Sequence, residues 1–198
     1  MTDPQCGLAN GLRDILLADR SDYAGRHIAE LVLSRVRASA LLVPTPMPPA
    51  LDIQQILGAA FAANTRAGGA LLQIARSLEV LGPHMIWRQR SNNGQTASEG
   101  FNTAHASALI ANATDDTPLH CDGFVIGVSV AAPHTTFPLH DHPREELYLS
   151  LTPAAFTNAE TGWRDIVTGG TFHNKSGISH TMRSGTMPLV AIWLMGRS

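Results

Sequence analysis

The spacing His140-x-His142-x3-Glu146, followed by Tyr148, concentrates groups that could do chemistry in a short stretch. A fourth ligand-type side chain, His180, ends the distant segment Gly177-Ile178-Ser179-His180. Neutral imidazole and carboxylate oxygen are ligands for divalent transition ions such as Zn, Fe and Mn. Side chains two apart in a strand point the same way. His140 therefore projects with His142, and Glu146 with Tyr148, while Pro143-Arg144-Glu145 bends the chain between the two pairs. His180 would close the shell from elsewhere in the fold. Such a set leaves about one or two coordination positions open for water or substrate, which is the condition for metal-assisted chemistry. No cysteine lies near these residues, so a structural thiolate zinc site is excluded. The expected cofactor is one divalent transition metal per subunit, with Zn, Fe and Mn all compatible.

Glu145 competes with Glu146 for the carboxylate role, and alternation decides between them. Glu146, Tyr148 and Ser150 share one strand face, while Glu145 shares the other with Leu147, Leu149 and Leu151. A face with three leucines belongs against core, not around an ion. His120, His134 and His173 are further histidines, with His173 placed to line the substrate or sit behind the ligands. No arginine cluster is evident around the ligands.

These residues need elements to hold them. Residues 1–82 read as helical. Leu8, Leu12, Ile15 and Leu16 keep a helical period, and a second helix is expected from Arg26 to Leu42, capped by Ser21 or Asp22. Prolines from Pro44 to Pro49 break the pattern, and further helices are expected over Leu51–Ala63 and Ala70–Leu81, stopped by Gly82-Pro83. Residues 83–198 change texture. Strands are expected at Met85–Arg88, Ala104–Ala111, Phe124–Ala131, Glu146–Leu151, Trp163–Val167, Gly170–His173, His180–Arg183 and Leu189–Met195. Many short strands separated by turn signals argue for a sandwich or barrel. The polar loop Gln89–Gly100 is a surface loop or a lid.

Composition narrows the partners. A net charge of −2 gives no reason to expect nucleic acid or an anionic membrane surface. No apolar run reaches the roughly 18 residues of a membrane span, and Met1–Arg13 lacks the regions of a signal peptide. Cys6 and Cys121 suggest no disulfide framework, so a cytoplasmic location is expected. Charged residues make up 15% of the chain, against roughly 25% in a typical domain, so a second subunit covering an apolar face, a homodimer, is expected.

His140-x-His142-x3-Glu146 resembles the first motif of the cupin superfamily, and Gly177-x-x-His180 resembles the second. The resemblance covers residues from about 124 to 195. It implies a mainly β fold, a cupin-type antiparallel β-barrel (double-stranded β-helix) over 83–198, preceded by the α-helical region 1–82, the whole making one compact unit. Two positions depart from the usual motifs. Lys175 stands where a proline is common, and His134 stands where a glycine is common six residues before the first histidine.

Tyr148, two residues after the ligand glutamate, joined to a helical N-terminal half, resembles the cupin-type dimethylsulfoniopropionate (DMSP) lyases, the Q branch in particular. That resemblance implies cleavage of a small zwitterion by β-elimination to dimethyl sulfide and acrylate, with Tyr148 as the base that takes the α-proton. A phenol with an ordinary pKa of about 10 needs a nearby cation to ionise at neutral pH. The sulfonium end needs aromatic surface, because π faces attract onium groups. Phe137, Trp163, Phe172 and Trp193 are expected as substrate-binding residues together with His173. Phe137 stands where that group often has a tyrosine.

Other chemistries share the shell. An iron dioxygenase acting on a small organic acid or thiol could use the same four ligands, without needing Tyr148 as base. A sugar or nucleotide-sugar isomerase would want basic residues around the metal. A non-catalytic metal- or ligand-binding cupin would have no exchangeable position, and a regulator would want a recognition helix or basic face, neither of which stands out.

Overall fold

The computed structural model describes residues 3–18, 23–39, 51–90, 97–114 and 116–196. Helix α1 spans Pro4–Leu16 and opens with Asp3 accepting from the Gln5 amide and proline in its first turn. Helix α2 spans Arg26–Leu33. It ends well before the expected Leu42, because the last-turn carbonyl of Leu31 is taken by the Ser34 hydroxyl at 2.9 Å and the Arg35 guanidinium at 2.7 Å. The chain then leaves helical geometry to make strand β1, Arg37–Ala38, which pairs with β3, Leu119–His120. Helices α3, Ile53–Asn64, and α4, Gly69–Leu81, follow as expected. The expected caps Ser21 and Asp22, the break from Pro44 to Pro49, and residues 91–96 of the polar loop lie outside the described residues.

After a one-turn helix α5, Phe101–Ala104, the chain is β-structure. Strands β2 (His105–Asn112), β4 (Val125–Ala131), β10 (Leu189–Met195), β5 (Glu146–Ser150) and β8 (Thr171–Asn174) join β1 and β3 in a seven-stranded sheet ordered β1-β3-β2-β4-β10-β5-β8. Its pairings are antiparallel except the short β2–β3 pair. A smaller sheet is ordered β7-β6-β9, from Arg164–Ile166, Ala154–Asn158 and His180–Ser184. The sheets do not close into a continuous hydrogen-bonded barrel. Bridges Thr136–Arg183 and His140–His180 tie the preceding loop to β9 instead. The strand expected at Met85–Arg88 is reduced to a single bridge, Arg88–Ser107.

The large sheet has two faces, and alternation assigns each. Ala106, Ala108, Ile110, Ile126, Val128, Val130, Leu147, Leu149, Leu151, Val190, Ile192 and Leu194 face the helices. They share one buried core with Leu8, Leu12, Ile28, Val32, Ile53, Leu57, Ile74 and Leu78. The opposite face looks into the fold. There Ala131, Tyr148, Phe172, Leu189 and Ala191 pack with Phe156 and Met182 from the small sheet. Among the described residues no helix is long and apolar enough to cross a membrane. Cys6 and Cys121 are free thiols.

Candidate metal centre

His140 and His180 meet through their backbones before their rings meet. Each donates its amide to the other's carbonyl, at 3.1 and 2.9 Å. Gly177 in turn donates to the His142 carbonyl at 2.9 Å, and the Ser176 hydroxyl to Pro143 at 2.7 Å. The distant second segment is thereby stitched along the first. Gly177 sits at φ +71°, a left-handed turn that glycine adopts without steric cost. Ring centroids of His140 and His180 lie 4.3 Å apart, and those of His142 and His180 5.1 Å.

All three imidazoles are oriented the same way. The Nδ1–H of His140 donates to Pro138, that of His142 to Arg144 and that of His180 to Ile178, at 3.0, 2.7 and 2.9 Å. Each partner is a backbone carbonyl two residues away. This assigns the proton to Nδ1 and leaves Nε2 as a lone-pair donor, the arrangement that metal-binding histidines adopt. One ring nitrogen from each of the three lies within 4.8 Å of the other two.

Glu146 arrives at the same point from β5 and is 1% exposed. Its Oε2 lies 3.1 Å from His180 Nε2 and 3.4 Å from His142 Nε2. The His180 nitrogen is buried without a hydrogen-bond partner in spite of that proximity. Lone pairs face lone pairs across the gap, and such a contact is favourable only with positive charge between them. Burial pushes the Glu146 carboxyl up, but His142 and His180 outweigh it and bring it to about 2. Once protonated, His142 donates from Nε2 to Glu146, which raises its pKa against its partial burial, whereas burial lowers His140. The donor set, its tautomers and the orphaned buried nitrogen all fit a divalent cation.

Two of the four donors, His140 and Glu146, open on a small cavity of about 30 Å³ lined also by Tyr148, Phe137, Met182 and Trp193, with Arg90, His105, Ser107, Ser129 and Met195 around them. Tyr148 follows Glu146 on the inward face of β5 and is 4% exposed. In the metal-free chain burial holds its phenol well above 10, and Glu146 adds to this while Arg90 opposes it. Phe137 is buried at the cavity wall, edge-on to Phe101 at 5.2 Å. Trp193 lies over Gly127, where a Cβ would stand 2.1 Å from the indole ring, and its Nε1–H donates to the Ser129 hydroxyl at 3.2 Å.

Three of the expected substrate-binding residues are placed elsewhere. Phe172 lies opposite Tyr148 on β8 and packs on Phe156 at 5.5 Å, behind the cavity wall. His173 is one residue on and points out of the opposite face. There its Nε2 meets Glu145 at 2.6 Å, whose other oxygen meets His27 of α2 at 2.9 Å. Glu145, excluded from the ion by alternation, instead joins the barrel to a helix. Trp163 is 44% exposed on the outer surface with the Arg183 guanidinium 4.2 Å from its ring centroid. Of the other histidines, His120 pairs with Asp122 at 2.9 Å, and His134 occupies a turn at φ +58°.

Two cavity residues escaped the sequence reading. His105, at the start of β2, is 1% exposed; its Nδ1 bonds the Phe101 carbonyl and its Nε2 accepts the Arg90 amide at 2.9 Å. Arg90 belongs to the polar loop, and the Arg88–Ser107 bridge together with its own amide bond to His105 brings it to the site. A lone histidine and a loop arginine carry no spacing signal.

Three comparisons bear on this arrangement. The structure superposes on a chain from the crystal structures of the DMSP lyases RdDddP and RnDddQII with a TM-score of 0.70, at 16% identity, covering 98% of this chain and 93% of that one. It superposes on the DMSP lyase DddQ from Ruegeria pomeroyi DSS-3 with a TM-score of 0.60, at 21% identity, covering 94% and 91%. A cupin-2 domain protein from Rhodospirillum rubrum gives a TM-score of 0.47 at 7% identity, covering 59% and 72%. No curated protein matches the sequence. The family model for dimethylsulfoniopropionate lyase matches residues 32–191, from the end of α2 through α3, α4 and both ligand segments to the start of β10. That match covers more than half of the chain, and this chain belongs to the DMSP lyase family.

Proposed function

We propose that the protein is a metal-dependent lyase that splits dimethylsulfoniopropionate into dimethyl sulfide and acrylate. The reading rests on one observation above others: the lone pairs of His140, His142, His180 and Glu146 converge beside a cavity that also contains Tyr148. When bound there, a divalent ion supplies Lewis acidity to a substrate carboxylate and a positive charge that favours the Tyr148 phenolate.

Tyr148 acts as the general base. Its oxygen takes the proton from the carbon next to the carboxylate. The C–H electron pair becomes the new carbon–carbon double bond, and the carbon–sulfur bond breaks with its pair remaining on sulfur. Dimethyl sulfide leaves neutral, so no acid is needed to protonate it. Phe137, Trp193 and the ring of Tyr148 offer aromatic surface to the sulfonium, with Met182 between. Phe172 supports the Tyr148 side of the wall rather than touching substrate. Nδ1 bonds to Pro138, Arg144 and Ile178 hold the three rings in place, so the shell is organised before a ligand arrives.

Metal-loaded protein incubated anaerobically with DMSP tests this. The expected result is dimethyl sulfide in the headspace and acrylate in solution in equal amounts. No sulfide release would refute the lyase reading, and turnover that depends on oxygen would favour the dioxygenase chemistry of the same ligand set.

A further inference from the structure

The metal cavity is not isolated. A second cavity of about 330 Å³ adjoins it, lined by Ile86, Arg88, Gln89, Leu109, Asp116 and Thr117, and both are bounded by Arg90, Ser107 and Trp193. The inner space holds roughly two waters. A larger molecule at Tyr148 therefore extends beyond that space, and the adjoining outer cavity offers room for it. Among the described residues that bound both cavities, Arg90 is the only cation.

The Arg90 backbone is fixed, while among the described residues its side chain has no hydrogen-bond or salt-bridge partner. Its amide donates to His105 Nε2 at 2.9 Å, and His105 is locked in turn by Phe101, through the Nδ1 bond and a ring stack at 3.7 Å. Two residues earlier, Arg88 and Ser107 exchange backbone hydrogen bonds at 2.8 and 2.9 Å. Among the described residues no carboxylate forms a salt bridge with the Arg90 guanidinium, although Glu146 lines the same cavity. A planar fork of donors on a fixed backbone, facing a cavity and lacking a protein partner, suits a carboxylate.

We infer that Arg90 pairs with the oxygen of the substrate carboxylate that a bound ion leaves free, and so favours small organic acids at this site. This rests on the lyase reading only for the identity of the acid. It also orients a zwitterion: with the carboxylate at Arg90, the sulfonium is repelled toward the Phe137 and Met182 side, away from the guanidinium. Arg90 acts by binding, and Tyr148 keeps the proton.

Calorimetric titration of the metal-loaded protein with propionate, a carboxylate without sulfonium, separates this inference from the lyase reading. Arg90→Met should weaken propionate binding about 10- to 100-fold, the effect of losing a charge-assisted hydrogen bond. Arg88→Met removes the neighbouring cation that lines the outer cavity alone, and should change the affinity less than about threefold. Arg90 is exposed, and equal thermal midpoints of the variants would confirm that both fold. Unchanged affinity in Arg90→Met, an equal loss in Arg88→Met, or no propionate binding by the unaltered protein would overturn the inference. Propionate binding that depends on Arg90 without any sulfide release from DMSP would leave it standing and refute the lyase reading instead.

Discussion

His134 is held at φ +58°, in the left-handed region that costs a non-glycine residue about 1–2 kcal/mol. Its amide still donates to Gly185 at 2.9 Å, and its side chain is exposed, so the turn is kept for backbone reasons alone. The glycine common at this motif position is thus explained by geometry. His134→Gly should stabilise the protein by about 0.5–1 kcal/mol, after glycine's greater entropy loss, measured as a denaturant midpoint. At the ligands the expected outcome is different. His142→Ala and Glu146→Ala should lose metal and activity together, checked by metal analysis of the purified variants. These residues were legible because strand periodicity and ligand chemistry point to the same side chains. Arg90 was not legible, because the pairing of Arg88 with Ser107 and the bond of its amide to His105 carry it to the site, and no local pattern encodes those contacts.

At the scale of elements, β5 shows how much alternation decides. Its even-numbered residues, Glu146 and Tyr148, enter the site, and its odd-numbered leucines enter the core beneath the helices. The same rule separates Phe172 from His173 on β8: Phe172 shares the face of Tyr148, and His173 the opposite one, where it meets Glu145. Strand β6 gave too little signal, since Ala154 and Ala155 lack the bulk that marks a strand, and its role as centre of the small sheet comes from its neighbours. Helix α2 stopped early because side chains took its last carbonyl and β3 offered a partner to Arg37 and Ala38. Packing between β4 and β10 yields a further prediction. Gly127→Ala has no room beneath the Trp193 indole and should cost about 1–3 kcal/mol while displacing the ring from Ser129. A shift in tryptophan fluorescence with a lowered thermal midpoint would show it; an unchanged spectrum would contradict the packing described.

For the whole molecule, the helices and the large sheet bury one continuous core, and Glu145 adds bonds to His27 and His173 across the same junction. We propose that residues 1–82 and 83–198 fold as one unit, which predicts a single unfolding transition by circular dichroism and by fluorescence. Acid should act on the metal-free molecule through Glu146. Its folded pKa of about 2 lies below the ordinary 4.5, so its contribution is complete above about 4.5 and is lost as pH falls toward 2. Added metal should raise the thermal midpoint, and that gain should shrink in acid, where protons compete for the ligands. The sharpest test of the account is Tyr148→Phe, assayed for metal content and for dimethyl sulfide release on the same sample. The account predicts full metal occupancy with turnover lost by at least about a hundredfold, the scale of a positioned base. Full metal with turnover intact would contradict it.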